Sequence, residues 1–176
     1  MPSRTAQVFL DDERGGVFGF GPIVFIDWRH ASSTAPLEAA DRAVEVAVAG
    51  AVVERRLCYV HRVAADSPVG RAKPEVRAAA LVHFDKHDAS VFAAAIALEA
   101  TGFHASVIRS AAAGVLLLRP TPIKTRVFDD VVDSLQWLAA LRPERPTFEA
   151  QAAIVAFAAH NLLSPFPFAA SASPRP

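Results

Sequence analysis

Strand-like and helix-like apolar segments alternate along this chain, and this alternation constrains its fold more than any other feature. Pro22 to Trp28 is a continuous apolar run, broken only by Asp27, that is typical of a buried strand. Leu57 to Val63 is predicted as another strand. Between them, apolar residues recur at helical spacing from about Pro36 to Arg55. The residues before Gly50 also alternate, so a hairpin turning at Gly50 stays open beside the helix.

The middle of the chain is predicted to form a strand and then a helix. Arg77 to Phe84 is the predicted strand, which His83 interrupts. Asp88 follows at a position suited to capping a helix. That helix would present Phe92 to the core and would end at Gly102, because glycine commonly stops helices.

The last third of the chain is predicted to hold a hairpin and two C-terminal helices. The hairpin pairs residues 103–109 with residues 114–118. The first helix follows Asp129 and Asp130, because carboxylates are favoured at helix N-termini, and the second helix follows Pro146. A single mixed sheet with helices packed on it would bury all of these apolar faces, so an α/β fold is predicted.

Length and composition indicate one domain and a tail. A chain of 176 residues, 52% of them apolar, can form one domain with a real core, which we place at residues 1–163. Residues 164–176 contain four prolines and no apolar periodicity, so a disordered tail is predicted. Cys58 is the only cysteine, which excludes a disulfide framework within the chain. No secretory signal pattern or membrane-length apolar run is present, so a cytoplasmic protein with no membrane partner is predicted.

Charge is distributed unevenly, although the formal net charge is zero. Residues 55–126 contain 11 basic and 5 acidic side chains, a net charge of 11 − 5 = +6, between two acidic ends. Such a segment is typical of a surface that meets phosphates. Scattered solvated charges are an equally good interpretation of the same pattern.

The sequence Phe-Asp-Lys-His-Asp contains the tightest cluster of metal-capable side chains, namely Asp85, His87 and Asp88. A histidine and a carboxylate on a helix would need a third ligand from elsewhere. Asp85 and His87 also fit a solvated turn, and Asp88 fits a helix cap. We therefore favour a structural turn, and no metal ligands are predicted.

Motifs for nucleotide binding and serine nucleophiles do not occur. Gly15, Gly16, Gly19 and Gly21 lie between strands rather than between a strand and a helix. They lack the context of a dinucleotide-binding loop and are predicted to be hairpin glycines. No Gly-x-Ser-x-Gly sequence is present to form a nucleophile elbow.

Four histidines, His30, His61, His83 and His104, are predicted to lie on or beside strand ends. Open α/β sheets bind ligands there, although an ordinary half-buried side chain fits the same position. His83 is the strongest candidate because it interrupts an otherwise apolar strand, where a polar group needs a partner.

Several short motifs resemble those of a known family. Leu81 to His83 is similar to an apolar strand that ends in Leu-His-Val, and Gly102 to Ser106 is similar to a Gly-Phe-x-x-Ser element. Leu118-Arg119 and the helix-like stretch Phe148 to Phe157 follow in the same order. Residues 76–163 thus resemble the second half of the tRNA wybutosine-synthesizing methyltransferase family. The Cys-Ser-Gly-Arg signature of that family does not occur in this chain.

The resemblance implies an S-adenosylmethionine-dependent methyltransferase that acts in wybutosine biosynthesis on a modified guanosine beside the anticodon of phenylalanine tRNA. It implies S-adenosylmethionine as cofactor and tRNA as partner. His83 would orient or deprotonate the acceptor. Phe103 and Ser106 would contact the methyl donor, and Arg109 and Arg119 would bind tRNA phosphates. Methyl transfer depends chiefly on positioning, so the lack of a nucleophile motif is compatible with this activity.

A second hypothesis is a non-enzymatic regulatory or interaction module of the STAS or CRAL-TRIO kind. Val24 to Ala31 resembles the central strand of such modules, and Arg126 to Leu138 resembles their closing strand and helix. About 100 residues separate the two segments, which is long for a small module and places this hypothesis second.

The methyltransferase hypothesis predicts that the purified chain binds S-adenosylmethionine. Calorimetry should show saturable heat, and replacing His83, Ser106 or Arg119 with Ala should abolish methyl transfer while circular dichroism stays unchanged. Full activity in those variants would contradict the assignment of the site.

Overall fold

The computed structural model describes the chain at residues 6–29, 33–50, 57–63, 73–99 and 123–141. Within these ranges the helices and strands, in chain order, are β1 Gln7–Asp12, β2 Gly15–Phe20, β3 Ile23–Trp28, α1 Ala35–Gly50, β4 Leu57–Val63, α2 Pro74–His87, β5 Val91–Leu98, β6 Lys124–Phe128 and α3 Val131–Ala140.

One mixed sheet joins all six of these strands in the order β1-β2-β3-β4-β5-β6. The first three strands form an antiparallel meander, and β3, β4, β5 and β6 are parallel neighbours. Helices pack on this sheet, which confirms the predicted α/β fold with a single mixed sheet.

The tight turn between β2 and β3 depends on Gly21. Its φ of 54° lies in the left-handed region, which residues other than glycine rarely adopt. Gly15 has a different role, because it begins β2 where a Cβ would lie 2.7 Å from Cγ of Pro36. Of the four predicted hairpin glycines, Gly21 is confirmed as a turn residue, whereas Gly15, Gly16 and Gly19 lie within β2.

Both faces of the sheet are covered. On one face, α3 packs against inward-facing residues of the central strands, and its own contributions are Val131, Leu135 and Leu138. On the other face, α1 contributes the small residues Ala39, Ala40, Ala43 and Val44. Small side chains let α1 lie close to the sheet, and α2 packs beside it on this same face.

The structure reverses two predicted elements in the middle of the chain. The predicted strand Arg77–Phe84 is wrong, because these residues lie within α2. The predicted helix after Asp88 is also wrong, because Val91–Leu98 forms β5. β5 pairs with a strand on either side and is covered by a layer of helices, so it is buried. A continuous apolar run is typical of a buried parallel strand, even when the run is rich in alanine. Tertiary pairing thus outweighs the helix propensity of Ala.

Other elements agree with the sequence. β4 has the predicted bounds, and Ala35–Gly50 is a helix rather than one arm of a hairpin. α3 begins where the paired aspartates indicated, and the Asp130 carboxylate accepts a hydrogen bond from the backbone N–H of Asp133 at 2.8 Å. β6 was predicted only by the second hypothesis, which placed a closing strand from Arg126 onward. The hairpin at 103–109 and 114–118, the helix after Pro146 and the tail lie outside the described residues.

Shortening Leu135, a buried side chain of α3, should lower the stability of the protein substantially. Leu135 is 1% exposed in the core, so Leu135→Ala should lower the free energy of unfolding by about 2–5 kcal/mol through lost burial and a residual cavity. The neighbouring Gln136 is exposed, and Gln136→Ala should change it by less than about 0.5 kcal/mol. Urea denaturation measures both, and equal effects of the two substitutions would contradict this packing.

Candidate metal centre

Three side chains from two helices converge between α1 and α2. His83 and His87 are four residues apart on α2, which places both imidazoles on the same side of the helix. Asp41 faces them from α1, and its Oδ1 lies 2.6 Å from Nδ1 of His83 and 2.7 Å from Nε2 of His87. The three donor atoms all lie within 4.8 Å of one another.

Within the cluster, the carboxylate is more exposed to solvent than the two imidazoles. The side chains of His83 and His87 are 2% and 7% exposed, whereas that of Asp41 is 31% exposed. The histidines therefore form the buried wall of the cluster, and any ion or water would enter beside the carboxylate.

Tyr59 and Lys86 surround the three residues. The Tyr59 hydroxyl, on β4, lies 2.9 Å from Nε2 of His83, and Tyr59 is fully buried. Lys86 Nζ lies 3.3 Å from Oδ2 of Asp41. With the His83 proton on Nδ1, that N–H donates to Asp41, and the Tyr59 O–H donates to Nε2. The hydrogen bonds of His83 are then complete without an ion.

Burial and charge set the protonation states of the cluster. Burial alone would raise the pKa of Asp41, but hydrogen bonds from His87, His83 and Lys86 outweigh it and hold that pKa below its ordinary value. Burial lowers the pKa of His83, and it outweighs the opposing influence of Asp41. Near neutral pH the carboxylate is thus ionised and this imidazole is neutral, which are the forms that bind metal ions.

The donor set suits a divalent transition metal. Two imidazole nitrogens and one carboxylate oxygen are ligands that Zn²⁺ and related ions accept, at about 2.0–2.2 Å. A tetrahedral ion would hold its ligand atoms about 3.3 Å apart at those bond lengths. The Asp41 oxygen would have to move away from the two nitrogens by roughly 0.6 Å, and the two nitrogens, which lie up to 4.8 Å apart, would have to approach each other by up to about 1.5 Å. Metal binding therefore requires the imidazoles as well as the carboxylate to shift.

A separate group of salt bridges connects charged side chains at the carboxyl ends of the parallel strands. Asp27 is 1% exposed, and its two oxygens lie 2.8 Å from Nε of Arg29 and 3.2 Å from an Nη of Arg62. Arg62 also contacts Glu99 at 2.8 Å. These side chains neutralise one another, so the group links β3, β4 and the end of β5. This pairing explains why Asp27 interrupts an apolar strand.

His61 lies near the same end of β4, on the face covered by α1 and α2. The Trp28 indole N–H donates to its Nδ1 at 3.2 Å, while its Nε2 is buried and has no hydrogen-bond partner among the residues that the structure describes. Burial, with a smaller contribution from His83, lowers the pKa of His61 to about 3. His61 is therefore neutral in the folded protein at ordinary pH.

The structure places one of the five predicted site residues. His83 lies on α2, not on a strand, and both of its ring nitrogens have partners within the protein. Phe103, Ser106, Arg109 and Arg119 lie outside the described residues. Their assembly with His83, and the roles in methyl-donor and tRNA binding that the resemblance implies, stay predictions.

The predicted solvated turn at residues 85–88 is wrong. His87 is buried in the last turn of α2, and Asp88 follows the C-terminus of that helix instead of capping the next one. Asp85 is exposed and is not part of the cluster. The third metal-capable side chain of the cluster is Asp41, which sequence reasoning missed. The four-residue spacing of His83 and His87 was the available signal, and the strand assignment concealed it.

Comparisons with protein-family models, with curated proteins and with solved structures find no match to this chain. Across residues 6–29, 33–50, 57–63, 73–99 and 123–141, no helix combines the length and the apolar character needed to span a membrane. The class that fold and site define is thus an α/β protein with a histidine–carboxylate cluster between two helices.

Because His61 is buried and neutral, we predict that the stability of the protein falls in mild acid. Its pKa is about 6.5 when unfolded and about 3 when folded, so the unfolded chain binds the extra proton between these values. The contribution of His61 to the free energy of unfolding is therefore largest above pH 6.5 and should fall below it by up to about 1.4 kcal/mol per pH unit. Urea denaturation at several pH values measures this slope. The slope should be shallower in His61→Phe, and parallel pH profiles for the two proteins would contradict this account.

Proposed function

We propose that this protein binds one divalent transition metal ion, of the kind represented by Zn²⁺, through Asp41, His83 and His87. The observation that carries the proposal is the convergence of two imidazole nitrogens and one carboxylate oxygen within 4.8 Å. Two of these ligands come from one helix and the third from its neighbour, so the ion would join α1 to α2.

Protonation and second-layer contacts support the proposal. An ionised Asp41 and a neutral His83 need no change of charge before they bind an ion. Tyr59 holds the outer nitrogen of His83, and such outer hydrogen bonds orient metal-binding imidazoles. With Nδ1 on the metal, the His83 proton would move to Nε2, and the Tyr59 oxygen would accept it as a hydrogen bond.

The surroundings favour a stabilising or regulatory ion over a catalytic one. Both imidazoles are buried, and Asp41 is only partly exposed. Three protein ligands leave a fourth position for water, which is the arrangement of catalytic rather than structural zinc sites, so the preference for a stabilising ion depends on the burial of the imidazoles. An ion that binds only the folded chain stabilises it by about 2.7 kcal/mol at one hundred times its dissociation constant. Metal supply would then control how firmly α1 and α2 are held together.

The tRNA methyltransferase activity stays a prediction beside this proposal. It depends on different residues, apart from His83, and on a different ligand. Titrations with S-adenosylmethionine and with a metal ion are therefore independent tests of the two functions.

The metal proposal predicts one bound ion per chain. Untagged protein stripped with chelator should bind Zn²⁺ in calorimetry with a stoichiometry of one, and its thermal midpoint should rise on binding. His87→Ala removes one of three ligands and should weaken binding by more than about tenfold, because even second-layer changes cost about 10- to 100-fold. Asp85→Asn is the matched control, since this exposed carboxylate lies between the two histidines in sequence but outside the cluster.

The control variant should bind Zn²⁺ as the unmodified protein does. Failure of the unmodified protein to bind an ion would overturn the proposal. So would equal affinities for the unmodified protein and His87→Ala, because the ion would then bind elsewhere.

A further inference from the structure

Lys86 lies beside the proposed metal centre and is shared between two carboxylates. Its Nζ lies 3.3 Å from Oδ2 of Asp41 and 3.3 Å from Oε1 of Glu45. Asp41 and Glu45 are one helical turn apart on α1, and Lys86 reaches both from α2. All three side chains are partly exposed, so the ammonium can move without disturbing the core.

We infer that Lys86 is a built-in counter-cation that competes with the metal for Asp41, and that Glu45 is the alternative partner to which it withdraws. This inference rests on the proposed function and adds the regulation of the same site. It assigns Lys86 and Glu45 the task of setting metal affinity, although neither is a ligand.

The competition follows from charge. A divalent ion on Oδ1 and an ammonium near Oδ2 of the same carboxylate repel each other across a few ångströms. Metal binding therefore weakens the contact between Lys86 and Asp41. The flexible four-carbon stem of lysine lets Nζ shift toward Glu45, which lies on the same side of α1.

Two opposite effects on affinity follow from this arrangement. Removing the charge of Lys86 removes the competitor, so the metal should bind more tightly. Removing the charge of Glu45 leaves Lys86 with Asp41 as its remaining carboxylate partner, so the metal should bind more weakly. The second effect requires Lys86 to be present, which couples the two residues.

Zn²⁺ calorimetry on the full, untagged chain tests this coupling. Lys86→Met should tighten binding by about two- to fivefold, a range set by the strength of partly exposed ion pairs. Lys86→Arg keeps the charge and should stay within about twofold of the unmodified protein. Glu45→Gln should weaken binding, and in the double variant Lys86→Met/Glu45→Gln this loss should shrink. Arg77→Met removes one positive charge elsewhere on α2 and is the matched control, with unchanged affinity.

The outcomes separate the two claims. If the unmodified protein binds Zn²⁺ but Lys86→Met binds it no more tightly, the role of Lys86 is wrong and the metal site stands. Additive effects of Lys86→Met and Glu45→Gln would also overturn it. If the unmodified protein binds no Zn²⁺, the proposed function falls and this inference falls with it.

Discussion

The structure depends on β4 being paired on both sides and covered on both faces. Its backbone bonds extend to both neighbours at the strand start, where the Leu57 N–H donates to the Ser90 carbonyl and the Cys58 N–H donates to the Pro22 carbonyl, each at 2.8 Å. At its other end, the Val63 carbonyl accepts from Glu99 at 3.1 Å. A parallel strand that is enclosed in this way is mostly apolar on both faces. Its two polar side chains beyond Tyr59, namely His61 and Arg62, therefore need hydrogen-bond partners.

Alternation along β4 then distributes its side chains. Cys58 and Val60 face α3, while Tyr59 and His61 face α1 and α2. Tyr59 therefore reaches His83 from beneath the helix, and His83 reaches Asp41. The position of the histidine–carboxylate cluster thus follows from strand register, because a shift of one residue would turn Tyr59 to the opposite face.

The sequence predicted the fold class and the elements β3, β4, α1 and α3, but neither α2 and β5 nor the site. Apolar run length identified β4, and helical spacing identified α1 even though its last residues alternate. The secondary structures of α2 and β5 were predicted the wrong way round. α2 contains the exposed apolar residues Leu81 and Val82, which give its sequence the apolar run typical of a strand, while the alanine-rich sequence of β5 is typical of a helix. The metal-capable character of His87 was visible in sequence. Its partner was not, since Asp41 lies 46 residues away and only the packing of two helices joins them.

We propose above all that a single ion joins α1 and α2 through two imidazoles and a carboxylate. X-ray absorption at the zinc edge of the loaded protein tests it most directly. Two imidazole nitrogens with their outer-ring scattering, and one or two oxygens, should appear at about 2.0–2.2 Å. A spectrum with oxygen ligands alone, or one that keeps both imidazoles in His87→Ala, would contradict the claim.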